Sequence, residues 1–144
     1  MNILVSRCLL GEPCRYDGRS KPNPAVMALE EEGHRLIPIC PEVDGGLDTP
    51  RPPAEVQPDG RVVNAAGVDV TAQYRRGAEL ALETAREYGC TAAILKAKSP
   101  SCGDRQIYDG TFSRRLIPGR GVAAKLLSGA GLRVVNENCL DELF

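Results

Sequence analysis

The sequence contains no tryptophan, and its four tyrosines, two phenylalanines and one histidine are its only aromatic rings. A core without large rings has to come from Val, Ile, Leu and Ala. The six cysteines include no Cys-x-x-Cys pair, which argues against a zinc ribbon, because zinc knuckles use such local pairs. The histidine, His34, falls where a helix gives way to a strand, a place that suits a solvent-facing role better than a ligand. Neither sign of charge is in excess. The net charge is −1 and the pI about 5.9, so no positive field is available for a long nucleic acid, while a small nucleotide stays within reach. No apolar run is long enough to cross a bilayer. No basic leader or cleavage site precedes the first apolar run, and the expected compartment is a reducing cytoplasm. There, cysteines are more often metal-binding or redox-active than bridged.

What is present is an alternation of apolar runs and helical stretches. Asn2–Ser6, Arg35–Ile39, Thr91–Leu95 and Leu132–Asn136 read as strands of a parallel sheet buried on both faces. Asn23 caps a helix that carries Pro24 in its first turn, continues to Glu32 and stops at Gly33. Thr71 is expected to cap a helix from about Ala72 to Tyr88, and another begins at Val122 after Pro118-Gly119-Arg120-Gly121. The Gly45–Pro53 segment is irregular, because proline cannot donate to a ladder. Glu55–Gln57 and Arg61–Asn64 predict a hairpin turning at Asp59-Gly60, and Ile107–Ser113 a second hairpin or an ordered lid. The 144 residues fit one domain, 1–144, large enough to fold without disulfides. The expected architecture is an α/β three-layer sandwich with a mostly parallel, flavodoxin/Rossmann-like sheet of about four strands in the order second-first-third-fourth, plus small hairpins.

Cys8, Cys40 and Cys102 each follow a strand's carboxyl end, the edge along which open α/β sheets bind ligands. Cys14 lies in a Gly/Pro loop at that same edge. Four such thiols are hard to read as idle surface cysteines, since an exposed free thiol is a liability unless metallated or reactive. Cys90 and Cys139 read instead as small packed hydrophobes. Thiolates from distant loops suit an iron–sulfur cluster, and three ligands rather than four would leave one iron open to a substrate. Glu42, two residues after Cys40, is either an exposed loop acid or a catalytic carboxylate. Ser99 and Ser101 are turn formers or substrate-facing hydroxyls. Arg15, Arg51 and Lys98 are solvated charges or receivers of a phosphate or other anion. The Gly119-Arg120-Gly121 helix start also offers amides to an anion.

Ser6-Arg7-Cys8-Leu9-Leu10-Gly11, Cys14-Arg15-Tyr16-Asp17-Gly18, Pro38-Ile39-Cys40-Pro41-Glu42, Thr49-Pro50-Arg51-Pro52-Pro53-Ala54-Glu55 and Lys96–Gly103 resemble the thiouracil desulfidase family. Gly67–Thr71 and Ile107–Phe112 are similar too, so the resemblance spans nearly the whole chain. It implies a 4Fe–4S cluster bound by three cysteines, Cys8, Cys40 and Cys102, with one open iron. Cys14 is a neighbouring thiol or an alternative ligand. The implied catalytic residues are Glu42 and a serine, Ser101 or Ser99. Arg15, Asp17, Arg51 and Lys98 are the implied substrate-binding residues. Arg7 departs from the family pattern, where a small residue is more usual. The implied activity is non-redox removal of sulfur from thiouracil or 4-thiouridine monophosphate in nucleotide salvage, with release of sulfide. The implied partner is therefore a small thiolated base or nucleotide, with no long nucleic acid and no membrane, and the protein a monomer or homodimer. Two rivals remain at this point. One is an iron–sulfur or metal-binding redox or sensor module without a substrate. The other is a metal-free enzyme that uses Cys102 as its nucleophile.

Overall fold

In a computed structural model, residues 1–144 are described throughout. The chain runs through β1 (Asn2–Ser6), α1 (Pro24–Met27), β2 (Arg35–Ile39), α2 (Pro41–Asp44), β3 (Ala54–Val56) and β4 (Val62–Asn64). It continues through α3 (Thr71–Glu87), β5 (Ala92–Leu95), β6 (Gln106–Tyr108), β7 (Leu116–Pro118), α4 (Val122–Gly129) and β8 (Arg133–Asn136). Short 3-10 turns cover Arg7–Leu10 and Leu140–Glu142.

The four apolar runs form one parallel sheet in the order β2-β1-β5-β8, the order expected from the sequence. Ser6 pairs with Ile39 and Val5 with Ile94, so β2, β1 and β5 end side by side. Their side chains alternate between two apolar layers. Ile3, Val5, Leu36 and Ile94 pack on one face with Val26 and Leu29 from the α1 region. Leu4, Ile37, Ala93 and Leu95 pack on the other with Ala81 and Ala85 of α3 and Ala124 and Leu127 of α4. Each fully buried Ile or Leu contributes about 1.5–3 kcal/mol, which is how a core of small aliphatic residues suffices without tryptophan. The buried positions of α3, Tyr74, Ala78, Ala81 and Ala85, follow the three- and four-residue spacing of a single helix face. No helix is long and apolar enough to cross a membrane.

Four local expectations are corrected. The first helix is regular only over Pro24–Met27, after which turns carry the chain to Gly33; the Asn23 cap is as expected, its side chain accepting from Val26 N at 3.1 Å. Thr71 does not cap α3 but is its first residue. Its hydroxyl accepts instead from Val62 N at 2.9 Å, and Asp69 accepts from Thr71 N at 2.9 Å. The second hairpin, expected over Ile107–Ser113, extends to Pro118: β6 pairs with β7, so Pro118 ends a strand rather than opening the helix approach. Cys40-Pro41-Glu42 does not run on as loop: Pro41 opens the short helix α2, where its missing N–H costs nothing.

The last correction positions the site. Helices α2 and α3 touch backbone to backbone because two glycines lie at their contact. A Cβ on Gly77 would fall 1.8 Å from Pro41 O, and one on Gly45 would fall 2.1 Å from Gln73 O. Only glycine admits this approach. Gly77→Ala is therefore expected to destabilise the protein by about 3 kcal/mol, the upper end for overpacking, because the clash is with backbone. Urea unfolding of the purified variant checks this, and an unchanged midpoint would refute the tight α2–α3 contact.

Candidate active site

The carboxyl ends of β2, β1 and β5 open into a cavity of about 660 Å³. Cys8 reaches it from the turn after β1, Cys40 from the end of β2, and Cys102 from the loop after β5. All six cysteines are free, and Cys8, Cys14, Cys40 and Cys102 are buried, so they are cavity-wall thiols rather than the exposed ones the sequence suggested. Cys14 joins them, with the Cys40 thiol directed at its carbonyl at 3.9 Å. Cys90 packs in the apolar layer under α3, and Cys139 lies against the opposite layer.

The Cys102 thiol is fully enclosed and receives hydroxyl contacts from Ser6 at 3.4 Å and Ser101 at 3.5 Å. Burial pushes it up to about 12, against the smaller opposing effect of the two hydroxyls. Cys40 is also raised, by its hydrogen bond with Cys14 and by burial. In the protein alone these thiols are neutral at pH 7.

Glu42, in the first turn of α2, is held from four directions. Oε1 accepts from the Tyr74 hydroxyl at 2.8 Å and from Arg51 Nε at 3.2 Å. Oε2 accepts from Ser101 Oγ at 3.0 Å and Ser99 Oγ at 3.3 Å. The Ser99 hydroxyl oxygen in turn accepts from the amides of Ser101 and Cys102, both at 3.1 Å. This closes the Ser99–Cys102 turn, so the same hydroxyl forms the turn and faces the carboxylate. Tyr74 is 1% exposed, and burial and its contact with Glu42 raise its hydroxyl far above the tyrosine range. It is thus a fixed donor.

Arg51 lines the cavity, but its guanidinium is engaged by the protein's own groups. Besides Glu42 it donates to Asp48 O at 3.0 Å, Thr49 Oγ1 at 3.1 Å and Cys14 O at 2.9 Å. A guanidinium has five N–H donors, so this side chain has little left for a substrate. Arg15 and Lys98 line the cavity without an ion-pair partner. Asp17 is not brought to the cavity: it is exposed, and its carboxylate accepts from Arg19 N at 3.0 Å in a loop turn. Arg7, the departure from the family pattern, contacts Glu12 and reaches Asp44 at 3.0 Å. Asp44 also caps Cys40 N at 3.1 Å, so Arg7 ties the Cys8 turn to α2. The Gly119–Gly121 segment does not line the cavity.

Sequence reasoning missed Tyr74, Tyr16, Tyr108, Phe112, Arg114 and Glu55 as cavity or clamp residues. Tyr16, Glu55, Tyr108 and Phe112 lay within family-like motifs that gave them no role, Arg114 carried no signal, and Tyr74 carried a physical one: a tyrosine on the apolar stripe of a helix needs a partner for its hydroxyl.

A doubly covered parallel sheet with buried thiols and a clamped carboxylate at its carboxyl edge defines an α/β protein whose candidate site combines sulfur and carboxylate side chains. The chain belongs to the 2-thiouracil desulfurase family, whose model matches residues 3–139, and it is an enzyme that removes sulfur. It is 43% identical to the uncharacterized protein YbbK of Bacillus subtilis (strain 168), over 98% of this chain and 99% of that protein. It is also similar to the solved structure of a [4Fe-4S]-dependent thiouracil desulfidase, TudS (DUF523Vcz), with TM-score 0.92 and 49% identity, covering 99% of this chain and 94% of that one.

The Glu42–Arg51 pair is largely out of water, with side chains 14% and 6% exposed. Removing one partner of such a pair strands the other's charge. Arg51→Ala is expected to lower stability by roughly 3 kcal/mol, and Arg51→Lys to lose part of it, since an ammonium cannot reproduce the fork. Denaturant unfolding of both variants measures this; equal midpoints for Arg51→Ala and wild type would exclude the clamp.

Proposed function

We propose that Cys8, Cys40 and Cys102 hold a 4Fe–4S cluster with one iron free of protein ligands, and that the enzyme hydrolyses 4-thiouridine monophosphate to uridine monophosphate and sulfide. The observation that carries this reading is the shared cavity: three strand-end thiols, unbridged, face a carboxylate fixed by Tyr74 and Arg51. The donor set fits the group. Cys8, Cys40 and Cys102 are buried, unbridged thiols on one cavity wall, the ligand type that holds iron–sulfur clusters. A cationic centre also reverses the balance that keeps the Cys40 and Cys102 thiols neutral, because a coordinating thiol loses its proton outright. Cys14 is then a neighbouring thiol beside the ligands. When bound, the cluster supplies a Lewis acid for the thiocarbonyl sulfur.

The protein's own residues do the rest. Glu42 Oε2 faces the cavity with two hydroxyls on it and takes the proton of an attacking water. Ser99 and Ser101 hydrogen-bond the hydroxyl that water leaves on the ring carbon, and with Glu42 they pass its proton and the one Glu42 took to the departing sulfur as the carbonyl forms. Water contributes one oxygen, sulfur leaves as hydrogen sulfide, and no electrons are transferred. Tyr16, Tyr108 and Phe112 line the same cavity. Half of the chain's six Tyr and Phe side chains thus gather where a planar base could stack. Three cations there, Arg15, Lys98 and Arg114, have no ion pair. This surplus favours an anionic nucleotide over a free base. It also speaks against a module that holds a cluster and no substrate.

Two outcomes test this. Anaerobic reconstitution followed by a sulfide assay should give turnover of 4-thiouridine monophosphate at a kcat/KM well above that of free thiouracil; no sulfide from either compound would sink the activity. Glu42→Gln should reduce kcat by about 10²–10⁴-fold with iron content unchanged, while Cys102→Ala should lose iron. A Glu42→Gln enzyme at full rate would remove Glu42 from the chemistry.

A further inference from the structure

Glu55 is the second carboxylate in the cavity wall, and nothing in the mechanism above uses it. It lies on β3, is 9% exposed, and lines the cavity. Its Oε1 accepts from Gly110 N at 2.9 Å and from Phe112 N at 3.2 Å. It thereby holds the β6–β7 loop in place across the hairpin. Gln57 supports the same loop through Nε2 donating to Gly110 O at 3.2 Å, and Gly110 has a φ of +96° at this close approach. Phe112 and Arg114 sit in that loop at φ 58° and 61°, conformations uncommon for side-chain-bearing residues, and both face the cavity.

The other oxygen of Glu55 has no such partner. Oε2 makes no hydrogen bond and no ion pair within the protein, and it is not sealed off from solvent. Every other carboxylate of the cavity wall, namely Glu42, is fully partnered. Once a ligand displaces solvent from this oxygen, the carboxylate is costly to leave unpartnered unless the ligand donates to it. The substrate proposed above carries such a donor: in a thiouracil ring, the N3–H adjoins the thiocarbonyl carbon whether sulfur is at position 2 or 4. A cytosine-type ring has a lone pair at N3 and would meet the carboxylate acceptor to acceptor.

We infer that Glu55 Oε2 accepts the N3–H of the pyrimidine, so that Glu55 selects uracil-type over cytosine-type and N3-substituted rings and sets the thiocarbonyl in the cavity. This rests on the nucleotide reading of the site. A pocket built to pair with a donor rejects an analogue that lacks it far more strongly than an apolar pocket rejects a misfit.

The test uses the holoenzyme and two readouts. In turnover, wild type should prefer 4-thiouridine monophosphate to its N3-methyl analogue by at least about tenfold in kcat/KM. In equilibrium titration it should bind uridine monophosphate more tightly than cytidine monophosphate or N3-methyluridine monophosphate. Glu55→Gln keeps an oxygen for the loop amides but presents an amide donor to N3–H, and should flatten or invert both preferences. Gln57→Ala loosens the loop without touching the carboxylate, and should weaken all nucleotides alike while keeping the preference. Wild type that turns over 4-thiouridine monophosphate but treats the N3-methyl analogue equally would overturn the role of Glu55 alone. So would a Glu55→Gln enzyme that retains the preference, or a Gln57→Ala enzyme that loses it to the same extent. Failure to turn over 4-thiouridine monophosphate at all would instead overturn the reading beneath it.

Discussion

The carboxylate of Glu42 is the group around which the site is built. It is mostly withdrawn from water, and a carboxylate in that position is tolerated only where charge and donors replace the solvent. Arg51 supplies the charge, Tyr74 a fixed hydroxyl, and Ser99 and Ser101 the remaining donors. These partners come from three segments besides Glu42's own. The carboxylate therefore joins α2, α3, the Pro-rich segment and the loop after β5, and the thiols at Cys40 and Cys102 are carried on two of the elements it joins. The close α2–α3 contact at Gly45 and Gly77 is what brings Tyr74 within reach of Glu42.

The cavity has two electrostatic zones. Its floor holds buried thiols and a carboxylate, Glu42, whose charge is already matched by Arg51. Toward the exposed side stand cations without partners, with aromatic rings beside them. The ligand proposed for the site, an uncharged sulfur-bearing ring with an anionic tail, follows that gradient from floor to rim. Arg51 illustrates the distinction: it has the right charge for a substrate anion, yet its donors are taken by Glu42, Thr49 and two carbonyls. Its contribution to the site is rigidity.

Much of this was legible before any coordinates. The parallel sheet followed from four continuous aliphatic runs, because a strand buried on both faces has no polar alternation to hide. The strand-end placement of Cys8, Cys40 and Cys102 followed from the same runs. The errors fell where tertiary contacts overrode local chemistry. Thr71 reads as a cap by type, but Val62 N–H takes its hydroxyl. Pro118 reads as the approach to a helix, but β6 pairs with it. Asp17 shares a motif with Arg15, yet the turn that brings Arg15 to the cavity points Asp17 back at Arg19.

The sequence by itself determined the sheet, its two apolar layers and the edge at which the thiols gather, because hydrophobic period and Gly/Pro punctuation are local properties of the chain. It also carried the motifs that mark the family. Only the tertiary structure decided which charges are engaged internally and which are free. Pairing depends on partners tens of residues away, such as Tyr74 for Glu42 or Gly110 and Phe112 for Glu55. No periodicity in the sequence records where a side chain's hydrogen bonds end.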